Sequence, residues 1–254
     1  MKIRVLGAYG AEGLGQRPTS FLVNDRILID AGTVGGALPV SEQTLIEHAL
    51  ISHSHLDHVA GLAFLTESLA FSETRATPLT VASLEPVVSA LKQGVFNNIA
   101  WPDFSQIPAD APVMKYRTLV EEAEQRVGDT WVTPVAVNHT VPTTGFIIHD
   151  GTTGFIFSGD TGPTEALWKA ARGLRGLRGA FVECAFPNRM AELAAVAGHM
   201  TPALVARELA KLPADIPVWI YHVKPQFYDE IAAELARVDP TRITIVEQDK
   251  TYTL

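Results

Sequence analysis

The chain has 254 residues, of which 47% are hydrophobic, with 20 Lys and Arg against 28 Asp and Glu and a formal net charge of −8. This composition is typical of a folded, soluble protein and excludes a disordered chain. The acidic balance argues against a broad nucleic-acid surface, because binding to a phosphate backbone needs clustered Lys and Arg. A small anionic substrate is still compatible with it.

The sequence gives no sign of secretion or of a membrane span. The single cysteine, Cys184, cannot form an internal disulfide. The N-terminus alternates charged and apolar residues too quickly for a signal peptide, and no apolar run reaches the roughly 18 residues of a membrane span. We therefore expect a cytoplasmic protein. Because no linker or repeat stands out, we predict a single domain over residues 1–254, as one large unit or as two closely packed halves.

The first half of the chain is predicted to be mainly strands. Apolar runs between turn residues predict strands at 3–6, 20–23, 27–29 and 48–51, and helical spacing predicts helices from Val59 and over 85–92. Residues 94–113 contain three prolines among aromatic residues and are expected to be irregular. We interpret 84–130 as partly an insertion.

Strands and helices alternate in the second half. Strands are predicted at 131–137, 145–149, 154–157, 218–221 and 243–246, with a hairpin turn at Asp150 and Gly151. Helices are predicted over 163–171 and 202–211, each with proline at its first position. Strands grouped early and late, with helices after each group, predict an α/β fold of two sheets packed face to face with helices outside.

The segment HSHLDH at 53–58 is the most informative motif. It places His53, His55, Asp57 and His58 between an apolar strand and a helix. Imidazole nitrogens and a carboxylate at this density are the ligands that Zn²⁺ and related ions prefer, whereas a solvated polar turn would rarely be so rich in histidine. Three more candidates, His139, Asp160 and His222, each follow a predicted strand, and strand ends that converge can gather such ligands.

In order, these seven residues resemble the H-x-H-x-D-H motif and the later His, Asp and His of the metallo-β-lactamase superfamily. The resemblance covers nearly the whole chain and implies that superfamily's αββα sandwich of two mixed sheets, with two divalent metal ions at its rim. It implies that His53, His55 and His139 hold one ion, that Asp57, His58 and His222 hold the other, and that Asp160 bridges them. The nitrogen-rich set favours zinc, with Mn²⁺ or Fe²⁺ as alternatives.

Differences from the true β-lactamases argue against that branch of the superfamily. Those enzymes have Arg at the position of His58 and a late Cys ligand, whereas Cys184 is expected to be buried packing. The segments at 55–62, 158–168, 182–190, 198–202 and 221–231 look like those of class II cyclic-nucleotide phosphodiesterases. This implies hydrolysis of cAMP or cGMP to the 5′-monophosphate by a hydroxide that bridges the two ions.

The ligand chemistry alone supports only metal-assisted hydrolysis, so two alternatives stay open. One is another hydrolase of the same fold, acting on tRNA or another phosphodiester, on a sulfate ester or on a lactone. The other is a nucleotide- or metal-sensing protein without catalysis.

Several residues are candidates for supporting roles. Asp57 could orient the hydroxide, and His199 in GHMTP is our candidate general acid, its alternative being a contact to phosphate or to Glu183. Glu183 with His199 resembles an arrangement of the tRNA 3′-processing enzymes, although Val182 stands where those enzymes have His. Asp30 in LIDAG is expected to accept the second N–H of a ligand histidine.

Substrate contacts are predicted in the irregular segment and near the C-terminal histidine. Trp101 could stack on a nucleobase and Asn98 could bond its edge, or the aromatic residues here could anchor a loop or form a contact of a homodimer. Lys224 could counter a phosphate or could be a surface lysine.

Residues 84–130 carry four basic and seven acidic side chains, so we expect a small cyclic nucleotide or other small phosphodiester as partner, and no nucleic-acid polymer.

Overall fold

The computed structural model describes residues 1–72 and 77–254. Within them the strands are β1 (Lys2–Gly7), β2 (Ser20–Val23), β3 (Ile27–Ile29), β4 (His48–Leu50), β5 (Leu79–Ser83), β6 (Met114–Thr118), β7 (Gln125–Val127), β8 (Thr130–Val137), β9 (Thr143–His149), β10 (Gly154–Phe157), β11 (Leu177–Glu183), β12 (Val218–Tyr221), β13 (Ile243–Ile245) and β14 (Thr251–Thr253). The helices are α1 (Val40–Gln43), α2 (Leu56–Ala70), α3 (Glu85–Gly94), α4 (Ala166–Ala171), α5 (Ala191–Ala197), α6 (Pro202–Leu209) and α7 (Tyr228–Leu235).

The strands form two mixed sheets of seven strands each. Their orders are β14-β1-β2-β3-β4-β5-β6 and β13-β12-β11-β10-β9-β8-β7. In the first sheet β3 to β6 run parallel, and in the second β10 to β13 do, while the remaining neighbours are antiparallel. The two mixed sheets with outer helices confirm the predicted αββα fold class.

Three apolar layers hold the sandwich together. Between the sheets, the ring of Phe21 lies 5.2–5.5 Å from the rings of Phe157, Phe181 and Tyr221. A second layer packs α2 and α3 on the first sheet, and a third packs α4, α6 and α7 on the second. Fully burying one such side chain contributes about 1.5–3 kcal/mol to the free energy of folding. The apolar faces of the helices therefore pack on the outer faces of both sheets, and the rim of the sandwich is left for polar residues.

The structure corrects two predicted helix starts. Helix α2 begins at Leu56 instead of Val59, so the second half of the HSHLDH motif lies in its first turn. Helix α4 begins at Ala166 instead of Pro163, because the Pro163 carbonyl accepts a hydrogen bond from Asn138 and the Thr164 N–H donates to Glu208. Those two bonds hold the preceding residues in a turn.

The segment interpreted as an insertion has a mixed character. Residues 95–113 form turns between α3 and β6, as expected from their prolines. Strands β6 and β7 also lie in this segment and form an edge of the first and of the second sheet, respectively.

Within the described residues no helix combines the length and the apolar character that crossing a membrane requires.

Candidate metal centre

The predicted ligands lie at strand ends along one rim of the sandwich. His53 follows β4, His139 follows β8, Asp160 follows β10 and His222 follows β12 directly. Parallel strands of one sheet end at the same edge, which is why side chains far apart in sequence meet here. The first turn of α2 starts at the same rim and adds Asp57.

Three imidazoles form one compact set, which we call the three-histidine group: His53, His55 and His139. Nδ1 of His55 lies 3.0 Å from Nε2 of His53 and 3.3 Å from Nε2 of His139. One nitrogen from each ring lies within 4.8 Å of the others. Three imidazole nitrogens at this spacing can hold a divalent ion.

A second set, the mixed group, consists of Asp57, His58 and His222. Its ligand atoms also lie within 4.8 Å of one another, and Nε2 of His222 is 3.9 Å from Oδ2 of Asp57. Oδ2 of Asp160 is 3.1 Å from Nε2 of His222, 3.2 Å from Nε2 of His58 and 3.7 Å from Nε2 of His53. One carboxylate oxygen therefore faces imidazoles of both groups.

Hydrogen bonds to Nδ1, the ring nitrogen that faces away from the centre, orient four of these imidazoles. The Nδ1 contacts are His58 to Asp30 Oδ2 at 2.7 Å, His222 to Thr19 Oγ1 at 3.1 Å, His53 to Ser52 Oγ at 2.9 Å and His139 to the Gly198 carbonyl oxygen at 2.9 Å. Such partners fix the ring orientation and direct Nε2 toward the centre.

Asp30 supports both groups at once. Besides its contact with His58, its carboxylate accepts bonds from the backbone N–H and the hydroxyl of Ser52 at 2.7 and 2.8 Å, and that hydroxyl contacts His53. Asp30 is completely buried, and burial raises its pKa although His58 opposes the rise. It occupies the position that the sequence predicted for a partner of a ligand histidine.

The backbone at His222 takes an uncommon conformation that turns its ring into the site. Its φ is 63°, in the left-handed region that costs a non-glycine residue roughly 1–3 kcal/mol. Gly10 makes room for the ring, since a Cβ at that position would lie 2.9 Å from Nε2 of His222. Packing at this end of β12 therefore determines where the histidine points.

The charge distribution favours neutral imidazoles around ionised carboxylates. Burial lowers the pKa of His53, His55, His139 and His222. Burial would also raise the pKa of Asp160, but His222, His58 and His53 hold it well below its usual range. His58 is the exception, because Asp160 and Asp30 overcome the effect of burial and raise its pKa. Neutral imidazole and ionised carboxylate are the forms that bind metal ions.

Two buried polar atoms at the centre point to a cation. Within the described residues, Nε2 of His58 and Oδ1 of Asp160 are inaccessible to solvent and form no hydrogen bond of acceptable geometry. Buried polar atoms are normally paired, so an unpaired nitrogen and an unpaired oxygen in the same cluster of ligands need an explanation. A divalent ion coordinated by these atoms provides one, and the residues therefore fit the metal ions that the fold implies.

His199 and Glu183 form a buried pair beside the two groups. Nδ1 of His199 lies 2.9 Å from Oε1 of Glu183, which also accepts the Thr161 N–H at 3.0 Å. The His199 ring lies 4.9 Å from that of His139 and stacks on that of His222 at 5.3 Å. Burial lowers the pKa of His199, but Glu183 outweighs it and raises the pKa above its ordinary value.

Comparison with known proteins identifies the family. The model of the beta-lactamase superfamily domain matches residues 25–222, more than three quarters of the chain. The chain belongs to the metallo-β-lactamase superfamily. The match covers all the His and Asp residues of the two groups, together with Asp160, and their side chains form clusters that could hold metal ions.

Individual relatives include cyclic-nucleotide phosphodiesterases and a ribonuclease. A probable 3′,5′-cyclic-nucleotide phosphodiesterase of Yersinia pestis is 29% identical over 208 residues, which cover 72% of this chain and 58% of that protein. The crystal structure of unliganded yeast PDE1 superposes with a TM-score of 0.82 at 20% identity, over 100% of this chain and 99% of that one. A ribonuclease Z of Halorubrum lacusprofundi is 37% identical over 87 residues, covering 32% of this chain and 28% of that protein.

These matches show the fold and a resemblance to the class II phosphodiesterases. The chain spans only about three fifths of the length of the Yersinia relative. The yeast structure, at 20% identity, shows the fold alone.

The residues that the sequence predicted to contact the substrate lie outside the two ligand groups. Trp101 packs on the core of the first sheet and its ring lies 5.4 Å from that of Phe64, while Asn98 is exposed and accepts the Asp103 N–H at 2.9 Å. Among the described residues, no hydrogen bond or ring contact joins either to the ligand histidines. Lys224 lies nearer, with Nζ 2.9 Å from the Gly10 carbonyl oxygen and 5.5 Å from the centre of the Phe186 ring.

Three supporting groups were missed in the sequence: Thr19, Ser52 and the Gly198 carbonyl. Ser52 directly precedes the histidine motif, and this adjacency is a signal that could have been used. Thr19 carries no such signal, because it reaches His222 across 203 positions of the chain. Cys184 is buried, as expected from its apolar segment.

Proposed function

We propose that this chain is a binuclear metal-dependent phosphodiesterase that hydrolyses 3′,5′-cyclic nucleotides to 5′-monophosphates. The observation that carries the proposal is the carboxylate of Asp160, whose Oδ2 lies within 3.7 Å of imidazoles from both ligand groups. A carboxylate shared between two ligand sets would hold two divalent ions close together, as two-ion hydrolysis of a phosphodiester needs. The names of the relatives supply the substrate class.

In this proposal each group holds one divalent ion, zinc being the favoured metal, with Asp160 between them. When bound, the ions supply Lewis acidity toward the phosphoryl oxygens and a source of hydroxide at neutral pH. The side chain of Asp57 is 29% accessible. It can therefore also accept a hydrogen bond from the attacking water and orient it.

His199 is the proposed general acid for the leaving O3′ atom. Because Nδ1 faces Glu183, Nε2 is the nitrogen that can deliver a proton. The Glu183 carboxylate raises the pKa of His199 and would fix the orientation of its ring, so its role is positioning. We propose that the ammonium group of Lys224, which lies over the Phe186 ring, offsets part of the negative charge of the phosphate.

We propose a small substrate and not an RNA chain. Within the segment 84–130 seven acidic side chains outnumber four basic ones, and this surface would repel a polyanion. Precursor tRNA belongs in the test nevertheless, because one relative carries the name ribonuclease Z. The cytoplasmic location and the homodimer stay predictions.

A product assay tests the proposal. Purified protein loaded with Zn²⁺ or Mn²⁺ is given cAMP and cGMP, and chromatography is expected to show the 5′-monophosphate. A parallel panel contains precursor tRNA, a sulfate ester and a lactone. No turnover of either cyclic nucleotide would overturn the proposal. Binding of a cyclic nucleotide by calorimetry without product would favour the sensing alternative.

The role of His199 has its own test. His199→Ala should keep its metal and lower kcat for the cyclic nucleotide by roughly 10²–10⁴-fold, yet affect a p-nitrophenyl phosphodiester little, because p-nitrophenolate leaves without a proton. His149→Ala is the matched control, since Nε2 of His149 also lies 2.9 Å from a glutamate, Glu124, but in an exposed pair. Equal losses on both substrates would contradict the assignment.

A further inference from the structure

A cavity of about 620 Å³ opens beside the mixed group. One wall is the loop of residues 32–36, and the other is the outer face of α2, where Leu56, Ala60 and Phe64 follow one another at intervals of four residues. Asp57 also lines the cavity. A molecule whose phosphate lies at the ligand groups could therefore extend its other end into this space.

Close packing fixes the wall formed by the loop. Gly61 of α2 approaches it so closely that a Cβ there would lie 2.8 Å from the Ala31 carbonyl oxygen and from the Val34 nitrogen. Within the described parts of the chain, the backbone N–H groups of residues 33–36 donate no hydrogen bond to another residue. The wall formed by residues 32–36 is therefore held in a fixed position against α2.

The charge of the cavity selects against a second anionic group. Its ionisable lining residues are the carboxylates Glu12 and Asp57, and no Lys, Arg or His lines it in the described ranges. A second phosphate would find no cationic side chain among the described lining residues. A neutral, flat group with hydrogen-bonding edges fits better, and apolar walls with a few polar groups are the usual lining of such sites.

Phe64 supplies a flat apolar surface at the edge of the cavity. Its side chain is 57% exposed, which is unusual for a large aromatic residue, and Leu56 beside it is 71% exposed. The Phe64 ring is held edge to face by Trp101, 5.4 Å away with an interplanar angle of 75°. Trp101 in turn packs against the core of the first sheet. The exposed ring is thus supported from behind and open in front.

We infer that this cavity binds the nucleobase of the cyclic nucleotide, with Phe64 as the stacking surface and Trp101 as the residue that positions it. The inference rests on the proposed function and deepens it. It moves the base contact from Trp101, where the sequence suggested it, to a phenylalanine on α2. Base stacking on an aromatic side chain tolerates different bases, so binding here favours any cyclic nucleotide over the same ester without a base.

The test compares two substrates that differ only in the base. The kcat/KM for cAMP is measured beside that for the 3′,5′-cyclic phosphate of methyl riboside, which has the same leaving group. We expect the wild-type protein to prefer cAMP. Phe64→Ala should reduce that preference about tenfold or more through KM, and Phe64→Tyr should restore most of it. Phe71→Ala is the matched control, because Phe71 directly follows α2, is 81% exposed and is not among the residues that line the cavity.

The outcomes separate this inference from the proposed function. Equal kcat/KM for both substrates in the wild-type protein, or an equal loss on both in Phe64→Ala, would overturn the inference and leave the phosphodiesterase standing. Turnover of neither substrate would overturn the proposed function and the inference with it. Metal content and thermal unfolding of Phe64→Ala are measured in parallel, and Phe64→Leu, which keeps an apolar side chain without a ring, should show the same loss of preference.

Discussion

The two ligand groups share Asp160 but are built differently. The mixed group is the more negative one: it contains the carboxylate of Asp57, a second carboxylate, Asp30, stands behind His58, and its two imidazoles are at most 1% exposed. The three-histidine group is neutral, its His55 and His139 are only partly buried, and a hydroxyl and a backbone carbonyl support it. Carboxylates next to a divalent ion add attraction that neutral groups lack. We therefore expect the mixed group to hold its ion more tightly, so that a chelator removes the two ions in two steps.

Removal of the shared carboxylate should have the largest effect. Asp160→Ala takes away the oxygen that faces His53, His58 and His222, and we expect it to release most of the metal from both groups. Hydrolytic activity should fall by more than about 100-fold, since loss of a ligand's partner alone costs about 10–100-fold. Elemental analysis of purified protein measures the metal directly. Asp110→Ala, at an exposed position, is the control, and full metal content in Asp160→Ala would refute the bridging role.

Removal of the charge behind the mixed group should have an intermediate effect. Asp30→Asn should weaken the tighter ion by about 10–100-fold and bring its dissociation constant closer to that of the weaker ion. Stepwise titration against a chromophoric chelator measures both constants. Asp25→Asn is a matched control, because Asp30 and Asp25 both have positive φ, 55° and 60°, which asparagine tolerates. If only the weaker ion is affected, the proposed difference between the groups is wrong.

Loss of one neutral hydrogen bond should have the smallest effect. Thr19→Val removes the hydroxyl at Nδ1 of His222 with little change of shape, and the bond is worth about 1 kcal/mol, or roughly fivefold in the affinity of the tighter ion. Thr130→Val is the control, since it removes an equally buried hydroxyl that bonds the Val127 carbonyl. An equal change in metal affinity in both variants would show that the effect is a general loss of stability.

Local patterns determined much of the fold. Strands at 20–23, 27–29, 154–157 and 218–221 were predicted at their observed limits, because each is a short apolar run bounded by turn residues or a proline. Short edge elements such as β6 and β7 were missed. Their side chains are mixed in polarity, and only pairing with a neighbouring strand makes them strands.

The sequence by itself predicted which residues could hold metal, because its histidine motif and the imidazole and carboxylate side chains that follow three later strands resemble the pattern of one superfamily. Tertiary structure alone decided how those side chains are oriented. Thr19 meets His222, and Asp30 meets both Ser52 and His58, across distances that no local pattern encodes. It also decided where a base could lie, since the cavity exists only because the loop of residues 32–36 packs against α2. Ligand identity is a property of residue type and spacing, whereas orientation and cavity shape are properties of packing.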